Sequence, residues 1–151
     1  PTPTPTDYPS RMDLEAEYNN RARVADHPQV MLRWKAAAEA ARAAHPPREI
    51  GYGSGERERM DLFEAGEGAP VAVFLHGGYW QALDKSWFSG IATALVAHGV
   101  SLAIPSYDLA PAVRLGTILG QVRQTVEAAR ELNGGRRPLV FGHSAGGHYA
   151  A

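Results

Sequence analysis

The sequence predicts an α/β fold, a mostly parallel sheet with flanking helices. Three observations carry that expectation. Val71–Leu75 is a continuous apolar run, and Val100–Ile104 and Leu139–Phe141 are two further short strand candidates. Two stretches with helical spacing of apolar residues lie between them. Strand, helix, strand, helix, strand is the signature of a mostly parallel sheet.

The elements follow in order. Residues 1 to about 10, with prolines at 1, 3, 5 and 9, read as an extended mobile tail, because alternating prolines form neither helix nor central strand. From Asp13 to about Val24 the chain is polar and helix-permissive. Pro28 suits a first helical position, and Val30, Trp34, Ala37 and Ala41 then share one face until Pro46-Pro47 ends the helix. Residues 11–47 are therefore expected to be a helical lead-in and 48–151 the sheet-bearing domain. Arg59–Ala65 alternates polar and apolar residues, as a strand with one solvated face would. Val71–Leu75 does not alternate, which suits a strand covered on both faces. Phe88, Ile91, Ala92, Leu95 and Val96 form one helical pattern, stopped near Gly99. Leu115, Ile118, Leu119, Val122, Val126 and Ala129 form a second, ended by Asn133-Gly134-Gly135.

Composition removes several function classes. The 151 residues carry a formal net charge of -1, so no cationic surplus attracts nucleic acid or an anionic membrane. Without cysteine there is neither a disulfide framework nor a thiolate metal site. No histidine pair has zinc-site spacing, and no phosphate-binding glycine loop sits in a strand–helix frame. No apolar run approaches the roughly 20 residues that span a bilayer. The start lacks the basic and apolar regions of a signal peptide, so a cytoplasmic protein is the expectation.

Two motifs carry chemistry. Gly142-His143-Ser144-Ala145-Gly146 is a G-x-S-x-G pattern following the Leu139–Phe141 strand and leading into a helix-compatible stretch. To lift the Ser144 hydroxyl above the strand ends, the chain must turn sharply, which leaves the flanking positions no room for side chains. His76-Gly77-Gly78-Tyr79-Trp80 follows the buried strand Val71–Leu75. Acyl transfer from a serine creates an oxyanion, and the N–H groups of Gly77, Gly78 or Tyr79, together with that of Ala145, are its candidate donors. His76 and His143 are candidates for loop support. Trp80 could pack that loop and border a pocket at once. Trp87 and Phe88 read as core of the following helix, Asp108 as a turn-ordering residue, and Glu56-Arg57-Glu58-Arg59 as a solvated charged approach to a strand.

The pair HGGYW and GHSAGGH resembles the α/β-hydrolase superfamily and, within it, the arylformamidase (kynurenine formamidase-like) esterases. Glu17-Tyr18-Asn19-Asn20-Arg21 and Tyr107-Asp108-Leu109-Ala110-Pro111 are similar to that group as well. The resemblance implies hydrolysis of an aryl formamide or small carboxylic ester, without metal or cofactor, by attack of Ser144 and an acyl-enzyme intermediate. The partner it implies is a small molecule, with no nucleic acid and no membrane; a homo-oligomer is compatible with it. In that superfamily the nucleophile is followed by the acid and then the histidine, whereas seven residues follow Ser144 here. The sequence is therefore expected to be the N-terminal portion of such a hydrolase, truncated just after the nucleophile elbow and nearly inactive alone. None of His27, His45, His76, His98, His143 or His148 is assigned as the base. Two other readings are a general carboxylesterase and a shortened, noncatalytic chain that binds a partner through its sheet edge.

Overall fold

A computed structural model describes residues 13–151; the proposed tail lies outside the described residues. The chain divides into two compact units, with the boundary between Arg33 and Trp34. In the first unit the polar stretch forms two short helices, α1 (Leu14–Tyr18) and α2 (Asn20–Arg23). Asn19 separates them because its side chain accepts from Ala22 N at 3.1 Å, capping the second helix at the expense of continuing the first. Arg23 ties the pair together through Ala16 O and Glu17, each at 3.1 Å. Helix α3 (His27–Ala44) begins one residue before Pro28.

The second unit is built on one mixed five-stranded sheet. Its strands are β1 (Arg48–Gly51), β2 (Arg59–Phe63), β3 (Val71–Leu75), β4 (Ser101–Pro105) and β5 (Leu139–Gly142), in the order β1-β2-β4-β3-β5. β4, β3 and β5 are mutually parallel, as the strand–helix alternation predicts; β1 and β2 add an antiparallel edge. Between β3 and β4 lie a 3₁₀ helix (Lys85–Ile91) and α4 (Ala92–Ala97); α5 (Leu115–Leu132) joins β4 to β5, and α6 (Ala145–Ala150) follows β5.

The unbroken apolar character of β3 has a simple cause. Val71, Val73 and Leu75 face a core with Tyr107, Ile118, Val122 and Ala129, while Ala72 and Phe74 face a second core with Phe63, Phe88 and Ala92. Alternate residues point to opposite faces, and both faces are dry. Burying each large side chain contributes about 1.5–3 kcal/mol. α5 turns Ile118, Val122 and Ala129 inward as its spacing predicts, and Asn133 at its end accepts from Val71 N at 3.1 Å, fixing the start of β3.

β2 departs from expectation. Its polar position is not solvated: Asp61 is 1% exposed, between Met60 and Leu62, which face the first core. The carboxylate is held by Arg42 of α3 and Lys85 of the 3₁₀ helix, and Arg42 also donates to Ser89 Oγ at 3.2 Å. β5 lies at the sheet edge, where Leu139 is 67% exposed. Among the described residues no helix is long and apolar enough to cross a membrane.

Candidate active site

The loops after β3 and β5, both leaving the same end of the parallel strands, form the candidate site. β5 runs directly into α6 through His143 and Ser144. His143 N donates to Leu75 O at 3.1 Å, which pins the turn onto the end of β3. Ser144 then takes φ 53 and ψ -121, a left-handed conformation that costs a side-chain-bearing residue about 1–3 kcal/mol. Its side chain is exposed at the corner.

The glycines of the motif are required by backbone, not by side chains. A Cβ at Gly146 would sit 2.0 Å from Leu75 O and 2.5 Å from His76 O; one at Gly142 would sit 2.5 Å from the Gly146 carbonyl carbon. Neither neighbour can give way without moving the sheet or the helix. This is the steric cause expected from the spacing.

The loop after β3 is wound tightly. Gly78 has φ 122, and a Cβ there would lie 2.1 Å from Ala82 O; Tyr79 and Trp80 follow at φ 54 and φ 60. Gln81 N and Ala82 N both donate to Gly78 O at 3.0 Å, closing the turn. Gly77 packs on the elbow, where a Cβ would stand 3.0 Å from His143 O and 3.1 Å from Ser144 Cβ. Among the described residues the N–H groups of Gly77, Gly78, Tyr79 and Ala145 have no hydrogen-bond acceptor. An exposed serine hydroxyl thus adjoins a backbone segment with free donors, an arrangement able to receive a developing negative charge.

His76 is buried beneath that loop. Its Nδ1 is 2.7 Å from Gly77 O, so this nitrogen carries the proton. The ring stacks on Tyr107 at 4.2 Å with an interplanar angle of 4°, and on Phe88 at 5.8 Å. Burial pushes its pKa down to about 4, so the imidazole is neutral. Nε2 has no partner among the described residues. The Tyr107 hydroxyl donates to His76 O, and burial raises its pKa.

Arg57 was expected to be solvated; instead its guanidinium reaches inward, with Nε donating to Tyr107 O at 2.7 Å and Nη2 to Leu83 O at 2.9 Å. Its partners lie 50 and 26 residues away, so no local pattern announces them. Asp108 orders a turn, paired with Gln121 through its own N–H at 2.9 Å and its carboxylate at 2.8 Å.

The aromatic candidates separate into two groups. Trp80 is half-buried, edge-on to His148 at 5.6 Å and to Tyr149 at 6.5 Å, with Nε1 unpartnered among the described residues; Tyr79 beside it is 60% exposed. Trp87 and Phe88 instead join Trp34, Phe74 and His143 around an apolar cavity of about 340 Å³ on the other face of the sheet. The His143 ring is edge-on to Trp34 at 5.9 Å, and its Nδ1 packs against the loop after β3, 3.0 Å from where a Cβ on Gly77 would stand. Among the described residues no three His, Asp or Glu side chains are grouped to hold a metal ion.

No family model matches the chain. Over 106 residues, 68% of the chain, it is 36% identical to a kynurenine formamidase of Salmo salar and covers 36% of that protein. Among solved structures, a Silicibacter sp. protein described provisionally as a thioesterase is 40% identical and superposes with a TM-score of 0.81 over 92% of the chain and 54% of its own length. Esterase B from Lactobacillus rhamnosis shares the fold at 18% identity, with a TM-score of 0.56 over 90% of the chain and 46% of the esterase. The chain thus spans about a third of the length of the curated relative it matches. It is homologous to the kynurenine formamidases and belongs with them to the α/β-hydrolases.

Proposed function

We propose that the protein hydrolyses an aryl formamide or a small carboxylic ester, with Ser144 as nucleophile and the N–H groups of Ala145 and of the Gly77–Tyr79 loop as oxyanion donors. Ser144 Oγ attacks the carbonyl carbon and its proton passes to a general base. The tetrahedral oxyanion collapses, the amine or alcohol leaves with a proton, and water then cleaves the acyl-serine bond. The observation that carries this reading is the packing of Gly77 against Ser144, with both loops leaving free amides. The similarity to proteins named kynurenine formamidase supports a formamide over other acyl substrates in this reading. His76 is not assigned as the base, because its ring is fully buried, stacked on Tyr107, and burial lowers its basicity. The division into a lead-in at 11–47 and a hydrolase portion at 48–151 belongs to the same proposal.

The test uses full-length protein and a fluorophosphonate probe. Labelling should fall on Ser144 and vanish in Ser144→Ala, with hydrolysis lost by about a millionfold. Labelling at another residue, or an active Ser144→Ala protein, overturns the assignment. Comparing N-formylkynurenine with short p-nitrophenyl esters separates a formamidase from a general carboxylesterase.

A further inference from the structure

A trans peptide is planar, so its C=O and the following N–H point in opposite directions. Holding a carbonyl inward therefore turns the next amide outward. Two successive peptides of the loop are held this way. The Tyr107 hydroxyl donates to His76 O, which turns the Gly77 N–H away from the core. His76 Nδ1–H donates to Gly77 O at 2.7 Å, which does the same for the Gly78 N–H. Neither amide has an acceptor among the described residues.

We propose that Tyr107 is a positioning residue for the reaction, setting the Gly77 amide as an oxyanion donor while His76 sets that of Gly78. The inference rests on the serine hydrolase reading of Ser144 and adds to it a residue outside both motifs. Its physical need comes from the glycines themselves. A Gly-Gly segment can approach the elbow because it lacks side chains, but the same freedom lets its peptides rotate. Two buried donors remove that freedom. Tyr107 is itself fixed: it is 1% exposed, stacked face to face on His76, and held at its carbonyl by Arg57 Nε. The other arm of Arg57 holds Leu83 O, so one guanidinium ties both Tyr107 and the far end of the loop.

The experiment compares Tyr107→Phe with Tyr52→Phe in the full-length protein. Phe keeps the ring stack and removes only the hydroxyl. Tyr52 is the control, because it too donates from its hydroxyl, which is half-buried, to a backbone carbonyl, that of Ser106. Tyr107→Phe should lower kcat by about 10- to 100-fold with KM nearly unchanged. It should weaken a trifluoromethyl ketone, whose serine adduct carries the oxyanion, by the same factor. Tyr52→Phe should lower the unfolding midpoint similarly yet keep kcat. Unchanged kcat and ketone affinity in Tyr107→Phe overturns the positioning role, as do equal losses in the two variants. An active Ser144→Ala protein marks failure of the hydrolase reading itself, and the inference falls with it.

Discussion

A methyl group on Gly77 would stand 3.1 Å from Ser144 Cβ, so the two loops are separated by the space of one absent side chain. Gly77 is not in a left-handed conformation, so an alanine there is opposed by its neighbours, His143 O and Nδ1 at 3.0 Å and Ser144 Cβ, and not by its own φ. The strain falls on His143 and Ser144, which must yield by a few tenths of an ångström. Gly77→Ala should therefore fold, losing about 1 kcal/mol, while reaction at Ser144 slows by about 10- to 100-fold. Gly146→Ala is the contrast, since its Cβ would meet Leu75 O at 2.0 Å. It should lose about 3 kcal/mol or more. Urea unfolding alongside fluorophosphonate labelling rates distinguishes the two.

Ser144 itself offers a second test. Its left-handed backbone is a cost that glycine does not bear. Part of the relief is offset by the greater freedom of an unfolded glycine. Ser144→Gly should gain about 1 kcal/mol of stability and lose all probe labelling. A variant less stable than the parent would show that the elbow is not strained.

These glycines and the serine were legible because their causes are local. The backbone clash at Gly142 acts across four residues, the one at Gly146 is with the end of β3 but is announced by the short G-x-S-x-G pattern, and the two dry faces of β3 leave an uninterrupted apolar run in five. The α5 stripe is equally local, apart from Leu115, which the first helical turn leaves 45% exposed. What could not be read depends on partners far along the chain. The alternation of β2 implied a wet face, but Asp61 is enclosed by Arg42 and Lys85, 19 and 24 residues away. Strand β1 went unpredicted because Arg48 and Glu49 look like loop residues until β2 is paired beside them. Arg57 sits in a charged run whose alternation argues for solvent, and only the fold brings Tyr107 O and Leu83 O within its reach.

The Asp61 cluster makes a quantitative prediction. A carboxylate 1% exposed is tolerated because two cations face it, and removing it leaves Lys85, itself 14% exposed, short of one of its two counter-ions. Breaking a buried pair from one side costs about 3–5 kcal/mol. Asp61→Ala should lose that much in urea unfolding. Arg42→Met should lose less, because Lys85 still neutralises the carboxylate. Equal losses from the two variants would show that Arg42, not Lys85, is the principal counter-ion.

Acid stability should carry the signature of His76. Its folded pKa of about 4 lies below the ordinary value of 6.5, because protonation would place a charge among Tyr107 and Phe88. Between those values the unfolded chain binds the proton and the folded chain does not. Stability is therefore complete above about pH 6.5 and falls as the pH drops toward 4, by at most about 3 kcal/mol. Carboxylates titrate in part of this window, so the decisive quantity is the difference in acid slope from His76→Gln. That variant lowers stability at every pH by loss of the ring stack and the bond to Gly77 O but removes only the imidazole's share of the pH dependence. In the folded protein the ring should stay neutral and Nδ1-protonated down to about pH 5, readable from its nitrogen chemical shifts. A ring that titrates near 6.5, or an identical acid slope in His76→Gln, would mean that the imidazole is reached by water and cannot hold Gly77 O as described.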